Sequence, residues 1–266
     1  LKRDGTRNFL QISPVAERGS RRIPDWVNGV LGLVFPEACQ ICGKHRAGPK
    51  DGYVCEECWT KPGAIQFIRK PFCERCGLPY SGDLTSDFVC GNCHGLKLHF
   101  SSARSSVVAA RLVTDVIHRF KYQGHVWFEP FLADLLLCEL IPWIERTGRW
   151  DCLIPIPLHP QKERQREFNQ SQRIAAAASA KIRIPTVSHA VKRVRDTETQ
   201  THLSRDKRAA NMRKAFAMTG RYPLNGKRVI LIDDVFTTGA TTNACAQVLR
   251  EAGADEVCVW TVARGI

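Results

Sequence analysis

No apolar run in this chain is long enough to cross a bilayer. The segment from Trp26 to Phe35 is too short, and the longer one from Phe128 to Ile144 is interrupted by Glu129, Asp134 and Glu139. The longer segment therefore reads as a buried amphipathic helix. An apolar signal region is also missing, because residues 1–24 are polar and rich in arginine. We expect a disordered extension over 1–24, a cytoplasmic protein and no membrane span. The chain begins with Leu1, so its true start stays open. A Walker ending of Gly-Lys-Ser/Thr is absent, which excludes that type of nucleotide loop. The basic stretch 159–214 contains Phe168 but no Trp or Tyr. It offers little for stacking bases.

Positive charge and cysteine are in excess. The formal net charge is +13 over 266 residues. Between Gln161 and Lys214 there are 14 Lys/Arg against 5 Asp/Glu. Such a balance suits a phosphate-bearing partner or nucleic acid, although a solvated basic face gives the same count.

The 12 cysteines fall into two groups. Cys138, Cys152, Cys245 and Cys258 stand alone in apolar surroundings and read as small core residues. The other eight form four Cys-x-x-Cys pairs: Cys39/Cys42, Cys55/Cys58, Cys73/Cys76 and Cys90/Cys93. Two intervening residues let both sulfurs of a tight knuckle reach one ion. A second knuckle a dozen residues later completes a tetrahedron. We therefore expect two structural Zn²⁺ ions, each closed by four thiolates, within a double zinc ribbon over 35–95. With little hydrophobic periodicity of its own, this region needs the metal for its fold. Spacing leaves open whether the knuckles pair sequentially or cross-brace. Cys90-Gly-Asn-Cys93-His94 also matches a c-type haem attachment pattern, but the other three pairs lack the histidine. A redox role is disfavoured because none of the pairs opens a helix after a strand.

Beyond His99 the pattern changes. Residues 25–35 suggest a short helix, but the regular alternation starts at Ser101 to Ala109, which is strand-like. A helical face follows over Arg111 to Tyr122, ended by Gly124, and then a helix over Phe131 to Ile144. A buried strand spans Asp151 to Pro157. It leads through a polar basic loop to an Ala-rich helix from about Asn169 to Ala180. Val229 to Ile232 (strand), Thr242 to Ala252 (helix) and Glu256 to Val262 (strand) complete the series. Such alternation predicts an α/β fold over 100–266, a mostly parallel sheet with helices on both faces.

The most informative segment is Val229-Ile-Leu-Ile-Asp-Asp-Val-Phe-Thr-Thr-Gly-Ala-Thr-Thr242. A buried strand meets two acids, Asp233 and Asp234, and then a Thr/Gly loop opening a helix. Ligands of open α/β sheets sit at the carboxyl ends of strands, and a helix start offers N–H groups to an anion. Two carboxylates would repel a phosphate held there. They make sense facing ribose hydroxyls, directly or around Mg²⁺.

This segment resembles the signature of type I phosphoribosyltransferases that binds 5-phosphoribosyl 1-pyrophosphate (PRPP). The resemblance implies that Asp233 and Asp234 serve as binding and catalytic acids at the ribose 2′ and 3′ hydroxyls. It implies also that Thr237, Thr238, Gly239, Ala240 and Thr241 wrap the 5′-phosphate, with Mg²⁺ arriving with PRPP. From Phe35 to Arg264 the chain is similar to the ComF family of competence-associated proteins. The shared elements are the double Cys-x-x-Cys region, Phe120-Lys-Tyr-x-Gly124, Pro155-Ile-Pro-Leu-His159 and Arg166-Glu-Phe-Asn-Gln170. A further stretch, Arg193-x-Arg195-x-Thr197-x-x-Gln200-x-x-Leu203 with Arg208-x-x-Asn211 and Ala215-Phe216, matches that family too. The chain departs from it at Glu167, where the family usually carries Gly. If that position takes positive φ, a glutamate there is strained.

On this reading Arg164 and Arg166 face the pyrophosphate. Arg193, Arg195, Thr197, Gln200, Arg208 and Asn211 belong to a segment that closes over the ligand. Two functions stay open. One is an enzyme moving the phosphoribosyl group to an unnamed acceptor. The other is a non-catalytic protein handling single-stranded DNA during uptake, with the ribbons available to a protein partner.

Overall fold

The computed structural model describes residues 37–84, 86–195 and 214–266. Apart from Glu37 these belong to one compact unit, Ala38–Ile266. The extension over 1–24, the helix expected at 25–35, and Thr197, Gln200, Arg208 and Asn211 lie outside the described residues.

Four parallel strands form the main sheet, in the order β1 (Ala103–Val108), β6 (Glu256–Arg264), β5 (Arg228–Phe236), β2 (Cys152–Pro155). Val229 and Leu231 point to one face, Ile230 and Ile232 to the other, and all four are fully buried. Burial on both faces explains why the strand reads as an unbroken apolar run. One face is covered by α2 (Arg111–Tyr122), α3 (Glu129–Thr147) and α5 (Gln170–Ile182). On the other lie α6 (Ala240–Glu251) and a two-stranded antiparallel ribbon of β3 (Val191–Arg193) and β4 (Phe216–Met218). The expected α/β sheet with helices on both faces is the observed one. Among the described residues no helix is long and apolar enough to cross a membrane.

Several expectations change. The strand expected to end at Ile232 continues through both acids to Phe236, because β6 pairs with it as far as Phe236↔Arg264. The basic loop after β2 contains a helix, α4 (Pro160–Arg166), started by Pro160 after a His159 cap. Helix α3 is buried nearly all round rather than amphipathic, since it lies between the sheet and the first cysteine cluster. Cys152, Cys245 and Cys258 are core residues as expected, but Cys138 is exposed on α3.

Both cysteine modules pack on this domain. Residues 66–68 between them run along β1, with Ile68 N donating to Ser106 O at 2.9 Å and Val108 N to Gln66 O at 2.8 Å. They cover what would otherwise be an open sheet edge.

Candidate functional site: two thiolate clusters and an acid pair at the strand ends

The sulfurs of Cys39, Cys42, Cys55 and Cys58 lie within 4.8 Å of one another, and so do those of Cys73, Cys76, Cys90 and Cys93. Pairing is therefore sequential, which spacing left undecided. The S···S separations are 3.8 Å (Cys39–Cys58), 3.7 Å (Cys42–Cys55) and 3.6 Å (Cys76–Cys90). A zinc tetrahedron with bonds of about 2.3 Å sets its sulfurs about 3.8 Å apart, far longer than a disulfide at about 2.05 Å. Backbone N–H groups support the clusters, with Cys55 N donating to Cys39 Sγ and Cys90 N to Cys73 Sγ, both at 3.3 Å. Four sulfurs at tetrahedral spacing, with orienting donors, fit structural zinc in both places. Cys55 and Cys90 each precede a short helical turn, α1 (Glu56–Thr60) and the 3-10 turn Gly91–Cys93, and neither turn follows a strand of the sheet.

The acid pair sits on β5 near its carboxyl end. Asp234 is 3% exposed and ion-paired with Lys121 of α2. Burial works against the Lys121 ammonium, yet the Asp234 carboxylate, and then Asp233, hold its pKa above the ordinary lysine value. Asp233 is half-buried and accepts from Ser171 Oγ at 2.7 Å and from the Asp234 N–H at 3.0 Å. Burial, and next the neighbouring Asp234 charge, push its carboxyl up to about 7. The two adjacent acids thus differ. One is a neutralised ion pair and the other is poised between charge states.

The loop beyond them is shaped by one ring. Gly239 has φ +78°, and a Cβ there would lie 2.5 Å from Phe236 Cζ, so glycine is required both by conformation and by space. Thr238 Oγ1 accepts from Ala240 N at 3.4 Å, and Thr242 Oγ1 donates to Gly239 O at 3.0 Å. These bonds fix the first turn of α6. Thr237 is exposed, and Thr238, Ala240 and Thr241 are half-buried.

Loop 156–170 reaches the same edge. Asn169 caps α5 and donates to Ile156 O at 3.1 Å, while Ser171 holds Asp233. Arg166 donates to Gln170 Oε1 at 3.1 Å and lies 4.9 Å above the Tyr122 ring, whereas Arg164 is exposed. Glu167 does take positive φ, +66°, where the backbone must accommodate a non-glycine residue. Arg193 packs over Phe216 at 5.7 Å, and Arg195 is exposed. The structure thus brings the acids, the Thr/Gly loop and α4–α5 to one edge, with Arg193 and Arg195 on the β3 side. It also adds Lys121, Ser171 and Tyr122. Lys121 stood inside the Phe120-Lys-Tyr-x-Gly124 element, but its partner 113 residues later in sequence was invisible until β5 and α2 packed together.

Comparison with known proteins adds three findings. Residues 30–94 match the model of the double zinc ribbon domain. The chain is 33% identical over 220 residues to competence protein F of Haemophilus influenzae, covering 76% of this chain and 94% of that protein. It is 32% identical over 234 residues to the DNA utilization protein YhgH of Escherichia coli K12, covering 87% of this chain and 99% of that protein. Among solved structures, the glutamine PRPP amidotransferase of Bacillus subtilis is 25% identical with a TM-score of 0.31. That match covers 48% of this chain and 24% of that one.

Proposed function

This chain belongs to the ComF family, and from that premise we propose that its α/β domain binds PRPP with Mg²⁺ at the edge formed by Asp233, Asp234 and residues 237–241. The observation that carries the reading is the buried Lys121–Asp234 pair beside a half-buried Asp233, immediately before a glycine loop and a helix start. A polyanion approaching two bare carboxylates would be repelled. Here one carboxylate is neutralised by an ammonium, and the other is held near neutrality by burial. Asp233 is then free to accept from a ribose hydroxyl or to bind Mg²⁺ once deprotonated. Among the described residues only the two cysteine clusters gather three or more metal-ligating groups. Mg²⁺ would therefore rely on ligand phosphates for most of its shell, which is its usual habit. Arg164 and Arg166 would meet the pyrophosphate, where charge grows as the C1–O bond breaks. Turnover would make the protein a phosphoribosyltransferase acting in the cytoplasm, a compartment that suits free thiols.

Calorimetric titration of the full chain with PRPP and Mg²⁺ tests this. Saturable binding that is lost in Asp233→Asn supports it. Absence of binding to the wild type, at any Mg²⁺ concentration, removes it.

A second reading, single-stranded DNA handling in uptake, is favoured by one observation. Tyr122 is 61% exposed, and Arg166 lies across its ring. The basic segment itself has no such aromatic, but the fold places one beside it. Names of the relatives, a competence protein and a DNA utilization protein, point the same way. Alanine substitution of Tyr122 and of Arg164, Arg166, Arg193 and Arg195, read over a salt series, separates the readings. On DNA the losses should be graded, each arginine reducing the salt slope by about 0.7. On PRPP one or two arginines should dominate.

A further inference from the structure

Arg264 ends β6 with its guanidinium buried, at 4% exposure. Its Nη1 donates to the carbonyls of Phe236 at 2.9 Å and Thr237 at 2.7 Å, so it grips the first residue of the loop at 237–241. The same guanidinium lies 4.8 Å from the centre of the Phe236 ring. On its far side Nη2 reaches Sγ of Cys76, a ligand of the second thiolate cluster, at 4.0 Å. Phe236 in turn stands against Gly239 and leaves no room for a Cβ. One chain of contacts, Cys76–Arg264–Phe236–Gly239, thus runs from a metal-ligating sulfur to the start of α6.

An independent link joins the same two regions. Asn243 of α6 accepts from His99 N at 2.7 Å and donates to Lys97 O at 3.1 Å. It ties down the strap that leaves the second cluster after Cys93. A recess lies beside the first link, lined by Cys76, Asn92, Phe236, Thr237, Thr238 and Arg264. The first cluster is tied elsewhere, to α2, where Arg119 Nη1 donates to Gln40 O at 3.1 Å. Its sulfurs pack with the helices of the opposite sheet face.

We propose that Arg264 is a positioning residue that couples the second cysteine cluster to the loop at 237–241, so that metal held by Cys73, Cys76, Cys90 and Cys93, and not by the first cluster, keeps that loop ordered for phosphate. The phosphate clause rests on the PRPP reading above, whereas the coupling does not. Four thiolates around one divalent ion carry a net charge of about −2. An N–H donor directed at such a sulfur is a common orienting contact. For a buried guanidinium facing carbonyl oxygens and one sulfur, that cluster is the available counter-charge. Losing it leaves a buried cation without compensation, a costly state. Turning the guanidinium outward relieves the cost and releases the Phe236 and Thr237 carbonyls, which frees the loop.

The test is hydrogen exchange on the full chain, with zinc counted by elemental analysis. Arg264→Gln should keep two zinc ions per chain, yet speed exchange across 237–243 roughly tenfold or more, as expected for loss of a charge-assisted hydrogen bond. Cys90→Ser should do the same with one zinc, Cys42→Ser should leave the loop within about twofold of wild type, and Arg264→Lys should fall between. Wild-type loop protection in Arg264→Gln, or equal effects of Cys42→Ser and Cys90→Ser, overturns the coupling. If circular dichroism shows a variant unfolded, stepwise chelation of the wild type replaces it, with the emptied site identified by alkylation. The loop must then loosen in step with alkylation of Cys90 and not of Cys42, and the reverse overturns the proposal. PRPP titration of the wild type runs alongside. A protein that shows the coupling but binds no PRPP refutes only the phosphate reading. PRPP binding with unchanged exchange refutes only the coupling.

Discussion

The two cysteine clusters share spacing and sulfur geometry but are seated differently. The first is joined to the domain mainly by apolar contact, with one polar bond from Arg119 of α2 to Gln40 O at 3.1 Å. The Trp59 ring meets Phe131 of α3 edge-on at 5.0 Å, and Gly52 lies so close to Phe131 that a Cβ would approach its backbone N to 2.6 Å. The second also packs apolar surface, but it is latched by directional polar bonds. Arg104 of β1 donates to Glu74 O at 2.9 Å and pairs with Glu74 Oε2 at 2.7 Å, and Arg264 spans Cys76 and the loop. An identical metal motif therefore serves two ends. Apolar burial stabilises without fixing direction, whereas charge-assisted bonds fix direction. The more heavily latched joint is the one that reaches the loop at 237–241.

The contrast can be broken most severely through the metal. Purified protein should hold two zinc ions per chain, and Cys55→Ser and Cys90→Ser one each. Because the sulfurs of Cys39, Cys55 and Cys58 share a core with Phe131, Leu135 and Leu136, Cys55→Ser should lower the melting of the α/β domain as well. An unchanged domain melt would show that the first ribbon is an appendage.

A smaller but still large effect asks whether the acid pair depends on either cluster. Asp234→Asn leaves the Lys121 ammonium buried without its partner and should cost about 3–5 kcal/mol in denaturant unfolding. Both zinc ions should remain. By sequence Asp233 and Asp234 look alike, two adjacent acids at the end of an apolar strand. The buried pair sets Asp234 apart. Loss of zinc in this variant would show that site and ribbons are one cooperative unit.

Next come the two joints themselves. A Cβ at Gly52 meets Phe131, and a Cβ at Gly77 meets Ala103 O at 2.7 Å, and both glycines have positive φ. Gly52→Ala and Gly77→Ala should each cost about 1–3 kcal/mol by overpacking. Only Gly77→Ala should also weaken PRPP binding, measured by calorimetry. Equal loss of binding in both would erase the distinction between the joints.

The smallest effect is in pH. Asp233 has its folded pKa raised from an ordinary 3.8 to about 7. Between those values the folded chain holds the proton more tightly than the unfolded one, so this group's contribution falls as pH rises from about 4 to about 7. Asp233→Asn should flatten that part of the stability profile at constant zinc content. Affinity for Mg²⁺–PRPP should move the other way in the wild type, rising as pH passes 7 and Asp233 ionises.

How much was legible depended on the range of the interaction involved. Helix α2 was readable to the residue, Arg111–Tyr122, since its apolar spacing is a local property. Both zinc sets were readable because a knuckle is four residues long and its chemistry is in the side chains. The Thr/Gly loop was readable as a strand-to-helix turn rich in hydroxyls. Strands β3 and β4 were not, being three residues each and held by pairing with one another across 22 intervening residues. The sequence by itself thus determined the thiolate clusters, the alternating elements and the acid pair. Only the tertiary structure decided which knuckles share an ion, that Lys121 neutralises Asp234, that Asp233 is held near neutrality, and that Arg264 stands between Cys76 and Thr237. Each of these is a meeting of side chains distant in sequence. Their energies come from burial and low polarity, properties that exist only once the sheet and its two cysteine modules have closed around them.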